Sequence, residues 1–291
     1  MDLRAIGMGL LFAFIWSSAF TSARIIVADA PPLAISSIRF AIAGMIGVAI
    51  ARALGQSWHL TPAQWRATLI FGLCQNALYL GLNFTAMTTV EASLASIIAS
   101  TMPLIVAFLG WAAMGEKLTA LAAIGLIVGF AGVILIMGGR MDQGVDMFGV
   151  LLCVIGALAL AIATLTVRNA SSGGNVMMIV GLQMFVGAIV LFFASLVFET
   201  WEFNWTPKML TALTYTIFAP GLFATWIWFA LVARIGAVKA ATFHFLNPFF
   251  GVAIAAAILG ERLAMTDIIG VAIIAAGILA VQLSKQSHTS K

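Results

Sequence analysis

Residues 92–136, ASLASIIASTMPLIVAFLGWAAMGEKLTALAAIGLIVGFAGVILI, recur as residues 237–281, AVKAATFHFLNPFFGVAIAAAILGERLAMTDIIGVAIIAAGILAV. The shift is 145 positions (237 − 92), and the landmarks coincide without a gap. Pro103 falls on Pro248, Gly115-Glu116 on Gly260-Glu261, Lys117 on Arg262 and Leu118 on Leu263. Further on, Ile124-Gly125 falls on Ile269-Gly270 and Ala131-Gly132 on Ala276-Gly277. A repeat at about half the chain length means two related halves. They are read as residues 1–140 and 141–291, joined through the polar run Gly138-Gly139-Arg140-Met141-Asp142-Gln143-Gly144.

The composition says where these halves live. Of the 291 residues 63% are hydrophobic and only 8% charged, with a mean hydropathy of +1.13. A soluble domain is about 25% charged, so most of this chain is expected in lipid. The net charge of +4 is spread along the chain and forms no stripe suited to nucleic acid. Cys74 and Cys153 sit in apolar runs and read as small hydrophobes, not as a disulfide or metal pair. Arg4, an apolar run and Ala28-Asp29-Ala30 imitate a signal peptide. The run, at ~22 residues, is too long for an h-region of about 7–15, so this segment is expected to stay as the first helix.

Spans of about 20 apolar residues fit at 5–27, 33–53, 66–86, 92–113, 119–138, 147–168, 175–198, 209–232, 238–258 and 266–284. Five spans per half is an odd number, so the second half enters the membrane from the opposite side. The expected fold is an all-α integral membrane protein: ten transmembrane helices as two inverted five-helix repeats around a central cavity. With the N-terminus inside, nine of the 14 Lys and Arg fall on the cytoplasmic side: Arg4, Arg52, Arg66, Lys117, Arg168, Arg234, Lys239, Lys285 and Lys291. Arg24, Arg39, Arg140, Lys208 and Arg262 fall opposite. That bias puts both termini in the cytoplasm. Trp58, Trp65, Trp201 and Trp205 flank spans as interfacial residues do, and Ser171-Ser172-Gly173-Gly174 reads as a loop.

Pro103 lies twelve residues before Gly115, roughly 18 Å of helix, which places it near mid-membrane when Gly115-Glu116 is at a surface. Pro248 is placed alike. Proline has no N–H for the carbonyl four residues back, so the carbonyls of Ala99 and His244 are expected to be free at depth. Free acceptors there must face protein or a wet cavity; the alternative is a pair of kinks that only improves packing. Gly115 and Gly260 read as left-handed helix ends, and Glu116 and Glu261 as charges favoured before the next helix start. Polar residues at depth point to a pathway. Asn76, Tyr79 and Asn83 share one face of the third span, and His244, Asn247 and Gly251 one face of the ninth. Ser93, Ser96, Ser100 and Pro103 form a stripe on the fourth. Trp16, Ser17, Thr21 and Arg24 lie on the first. The repeat maps Asn83 onto Trp228. The alternatives are close helix packing for the serines and a satisfied core position for His244.

The two copies of Pro…Gly-Glu-Lys/Arg-Leu, with Trp16-Ser17-Ser18-Ala19-Phe20 and Pro32…Arg39-Phe40, resemble the drug/metabolite transporter superfamily, in its ten-helix branch of paired EamA-type repeats. The likeness covers essentially the whole chain, and within the superfamily it is greatest to bacterial aromatic amino acid exporters of the inner membrane. It implies alternating access around a central cavity, and outward transport of aromatic or large neutral amino acids. The residues supply a matching set of substrate contacts: Trp16, Asn76, Tyr79, Asn83, Ala99, Pro103, Trp228, His244, Asn247 and Pro248. In that set the asparagines donate to the carboxylate, the Ala99 and His244 carbonyls accept from the ammonium, and the aromatics wall the side chain. No Arg or Lys is expected at mid-depth, Arg24 and Arg39 being assigned to helix ends. Phosphorylated substrates are therefore not expected, and His244 is the one deep group that titrates near neutral pH. A lipid enzyme would need a motif such as His-Glu-x-x-His or Gly-x-Ser-x-Gly, and neither occurs. A channel would need a charged ring or filter loop. No catalytic residue, metal or cofactor is expected. The expected partners are the bilayer and the small-molecule substrate, with the chain acting as a monomer.

Overall fold

The computed structural model describes residues 3–167 and 173–289. Among these residues ten helices are long and apolar enough to cross a membrane. They are α1 Leu3–Val27, α2 Pro32–Ala53, α3 Pro62–Ala86, α4 Ala92–Met114, α5 Ala120–Asp142, α6 Met147–Leu165, α7 Val176–Phe198, α8 Pro207–Val232, α9 Lys239–Leu259 and α10 Met265–Ser284. No strand occurs among the described residues. Arg168 and Ser171-Ser172 lie outside the described residues.

Local chemistry sets the helix ends. Thr61 and Thr206 accept from the N–H groups of Gln64 and Met209, with Pro62 and Pro207 opening α3 and α8. Gly115 (φ 68°) and Gly260 (φ 70°) close α4 and α9 in the left-handed region. The repeat is copied down to its irregularities. α4 breaks at Thr101 and restarts as the 13-residue Met102–Met114; α9 tightens to a 3-10 turn over Thr242–Leu246 and restarts as the 13-residue Asn247–Leu259. α3 widens to a π-helix over Gly72–Leu80, and α8 does so over Ile217–Phe223, whose start is Gly72 shifted by the same 145 positions.

The chain forms two compact units, divided at Thr21/Ser22, Thr88/Thr89, Val150/Leu151 and Leu222/Phe223. Unit 1 holds the start of α1, α4, α5, the end of α8, α9 and α10. Unit 2 holds the end of α1, α2, α3, α6, α7 and the start of α8. Each unit draws on both halves of the sequence, because α2, α4 and α5 pack on their repeat mates α7, α9 and α10.

In unit 1, α5 packs on α10 through glycines. A Cβ on Gly125 would lie 2.8 Å from the Gly277 carbonyl, and one on Gly132 would lie 2.9 Å from the Gly270 carbonyl. Seven residues forward on α5 is seven back on α10, so the pair runs antiparallel. α4 and α9 also oppose each other. Glu261, just past α9, accepts from Ala92 N–H (2.8 Å) and Ser93 N–H (2.9 Å) at the start of α4, while Gly251 packs on Ser96. Glu261 therefore caps α4 rather than the helix that follows it, since the α4 terminus is where unpaired N–H groups lie.

Arg140 belongs to the last turn of α5, not to a polar join. It is buried, grips Asp267 with Nε (3.2 Å) and Nη2 (2.9 Å), and also pairs with Glu91. In unit 2, α2 and α7 repeat the antiparallel pattern: Glu199 accepts from Leu33 and Ala34 N–H, Ser37 donates to the Ala188 carbonyl, and Gly44 meets Gly181. Small residues let backbones approach where lipid supplies no hydrophobic drive between helices. Large apolar side chains such as Ile127, Ile134, Val197 and Phe198 remain exposed, as lipid-facing positions would be.

Candidate functional site

In unit 1 an aromatic cluster gathers four residues from α1, α8 and α9. The Phe12 ring centroid is 5.6 Å from Trp16, 4.9 Å from Trp228 and 5.4 Å edge-on from His244; Trp228 and His244 are 5.2 Å apart. Phe12 is buried, while Trp16, Trp228 and His244 keep part of their surface open. Asn247 Nδ2 lies 3.0 Å from His244 Nδ1, and Asn247 Oδ1 is buried without a partner. Ser17 Oγ donates to the Asn247 carbonyl at 3.2 Å, fixing α1 against the restart of α9. Ser93 Oγ and Ser96 Oγ on α4 are likewise buried and unpartnered. Pro103 and Pro248 are buried at the second residue of their restarted helices.

The carbonyls expected to be free are occupied. Backbone N–H groups at the Thr101 cap donate to Ile98 and Ala99, and the cap at Asn247 donates to His244. Each chain tightens by one residue before its proline, so a 3-10 bond replaces the lost α-helical one. Ala99 is therefore not a vacant acceptor.

Unit 2 holds Asn76, Tyr79 and Asn83, all under 4% exposed. Asn76 Nδ2 donates to the Gln183 carbonyl (2.9 Å) and Asn83 Nδ2 to the Tyr79 carbonyl (2.7 Å). A carbonyl only accepts, so both amides must turn their nitrogens that way. Asn83 Oδ1 is left buried and unpartnered. Each amide nitrogen thus spends one of its two N–H groups on a carbonyl, and Asn83 also has an acceptor to spare. Asn83 faces Gly156 of α6, and its repeat mate Trp228 faces Phe12 of α1. Since 156 − 145 is 11, the two contacts correspond to within one residue.

Unit 2 also buries Arg39, the eighth residue of α2, 6% exposed. Its guanidinium carbon lies 4.3 Å from the Phe40 centroid and 4.5 Å from the Phe84 centroid, and its Nε and Nη2 have no hydrogen-bond partner. A fixed charge is thus available inside the protein, where the sequence reading placed none.

An EamA-like transporter family model matches residues 3–138 and again residues 147–283. The chain belongs to the EamA-like transporter family. This EamA-like protein is 27% identical over 285 residues to the uncharacterized transporter YvbV of Bacillus subtilis (strain 168), covering 96% of this chain and 92% of that one. It is 25% identical over 293 residues to the uncharacterized inner membrane transporter YedA of Escherichia coli (strain K12), covering 97% and 92%. A solved crystal structure shares the fold, with a TM-score of 0.68 at 19% identity over 99% of both chains. The protein is thus a multi-pass membrane transporter. Sequence reasoning missed Phe12 and the unpartnered edge of Arg39. The signals were present: Phe12 is one helical turn before Trp16, and Arg39 is a charge inside an apolar span.

Proposed function

We propose that this EamA-like transporter exports aromatic or other large neutral amino acids by alternating access between two inverted repeats. It sits in the bacterial inner membrane with both termini cytoplasmic and acts as a monomer. The observation that carries the substrate reading is the partly open cluster of Phe12, Trp16, Trp228 and His244 beside the unpartnered Asn247 Oδ1. Aromatic faces accept an aromatic side chain, adding about 0.5–1.5 kcal/mol beyond area burial, and an amide oxygen accepts from an ammonium group. Interactions of this size give weak, broad selectivity, which suits a carrier that must release its load. The antiparallel packing of repeat mates within each unit supports the inverted arrangement.

The test is counterflow of labelled phenylalanine in proteoliposomes. Tryptophan and methionine should compete, and glutamate and lysine should not. Trp16→Ala and Trp228→Ala should weaken uptake far more than Trp201→Ala, whose ring is half exposed against Phe192 and Phe203. Equal losses at the three positions, or strong inhibition by glutamate, would refute the site. The same rings favour a second reading, a drug-like organic cation held by cation–π attraction. Stronger competition by an aromatic quaternary ammonium ion than by tryptophan would select it.

A further inference from the structure

Among the described residues Arg39 is a buried cation without a counterion. A guanidinium does not lose its proton in a protein, and an unpaired buried charge is strongly disfavoured. Unit 2 contains three carboxylates, Asp29, Glu199 and Glu202, and all three lie in turns between helices. Asp29 is engaged by Asn204 and Thr206, and Glu199 by the first N–H groups of α2. The Phe40 and Phe84 rings lie close against the guanidinium, 4.3 and 4.5 Å from its carbon. Two in-plane donors, Nε and Nη2, remain unpartnered. Ser36 Oγ, one turn earlier on the same face of α2, is also buried and unpartnered.

The protein contains the same fork in its filled state. Arg140 uses these two atoms, Nε and Nη2, to hold both oxygens of Asp267. Side-on bidentate pairing of this kind matches the plane and spacing of a carboxylate. We propose that Arg39 is a carboxylate-binding site, taking the carboxylate of a small organic or amino acid side-on through Nε and Nη2, with Ser36 Oγ as a further donor. A monoanion matches the single charge: Arg24 is engaged by the Met87 carbonyl, and Arg52, in the last turn of α2, lies against Trp58. This deepens the transport reading and rests on it only in requiring that a small metabolite enters the protein.

The probe is hydrocinnamate, compared with its neutral amide and with phenylphosphate, for equilibrium binding to the full-length protein in lipid nanodiscs. Hydrocinnamate should bind at least about tenfold more tightly than the amide, the worth of a hydrogen-bonded charge pair. This comparison needs only the wild-type protein. Arg39→Lys keeps the charge but loses the fork, and should weaken hydrocinnamate about tenfold while leaving the amide unchanged. Ser36→Ala should weaken it less. Equal binding of acid and amide, wild-type affinity in Arg39→Lys, or tighter binding of phenylphosphate would each overturn the proposal. Failure of phenylalanine counterflow alongside Arg39-dependent hydrocinnamate binding would sink the amino acid reading and leave this site standing. Phenylalanine counterflow with no acid preference would do the reverse.

Discussion

At Arg140 and Asp267 a single pair of side chains carries much of one end of unit 1. Both are almost fully buried, with side-chain exposures of 7% and 1%. Removing Arg140 leaves the buried Asp267 charge without its cation, at a cost of about 3–5 kcal/mol, whereas removing Asp267 leaves Arg140 its pairing with Glu91. Arg140→Met should lower the melting temperature of the detergent-purified protein sharply and Asp267→Leu less, and the double variant should recover much of the Arg140→Met loss. Two turn carboxylates give opposite pH responses. Burial holds the Glu199 carboxyl above its ordinary 4.5, against the lowering effect of the Leu33 and Ala34 N–H groups. The folded state then binds that proton more readily, so this site adds stability as pH falls through the raised value towards 4.5. The Thr89 hydroxyl holds Asp146 below its ordinary 3.8, so its contribution is present above 3.8 and is lost as pH falls through the lower folded value. Melting curves from neutral to acid pH should lose the first response in Glu199→Gln and the second in Asp146→Asn.

α2, α4 and α5 meet their repeat mates α7, α9 and α10, and small residues decide how closely. A Cβ on Gly277 would lie 2.6 Å from the Gly125 carbonyl oxygen and 2.6 Å from the Gly129 backbone nitrogen, where nothing can swing aside. Gly277→Ala should force α5 and α10 apart and destabilise by about 1–3 kcal/mol. Gly138, near the end of α5, has nothing within 4 Å of its would-be Cβ. Gly138→Ala should be neutral or stabilising by up to about 1 kcal/mol, because alanine is the better helix former. Thermal unfolding of the two variants in one detergent checks the contrast. The paired π-helical stretches belong to the same scale. Only the second contains a proline, Pro220, so proline is not what both have in common.

For the whole molecule, the orientation rests on loop charge. Of the five cations assigned to the outer side, Arg24 donates to the Met87 carbonyl, Arg39 is buried and Arg140 is ion-paired. Lys208 and Arg262 are exposed. Reporter fusions at Gln143 and Gly174 should report opposite sides, with Gln143 external. Both on one side would contradict the five-plus-five inverted topology.

By itself the sequence determined the number of spans, the period of the repeat and the glycine helix ends. Each of these follows from local rules: apolar length, self-similarity, and a left-handed position that glycine favours. It also singled out Trp16, Trp228 and His244, whose residue types are conspicuous in an apolar helix. Only the tertiary structure decided which polar atoms are already spent. The Ala99 carbonyl is recaptured by a tightened turn, the Asn76 nitrogen gives one donor to a facing carbonyl and the Asn83 nitrogen one to the carbonyl a turn back in its own helix, and Arg140 has its carboxylate while Arg39 has none among the described residues. Neither arginine shows its pairing in the sequence: Arg39 lies inside an apolar span and Arg140 in the last turn of one. What separates them is a partner 127 residues away at Arg140 and its lack at Arg39, and a hydrogen bond across such a distance has no periodicity for a sequence to display.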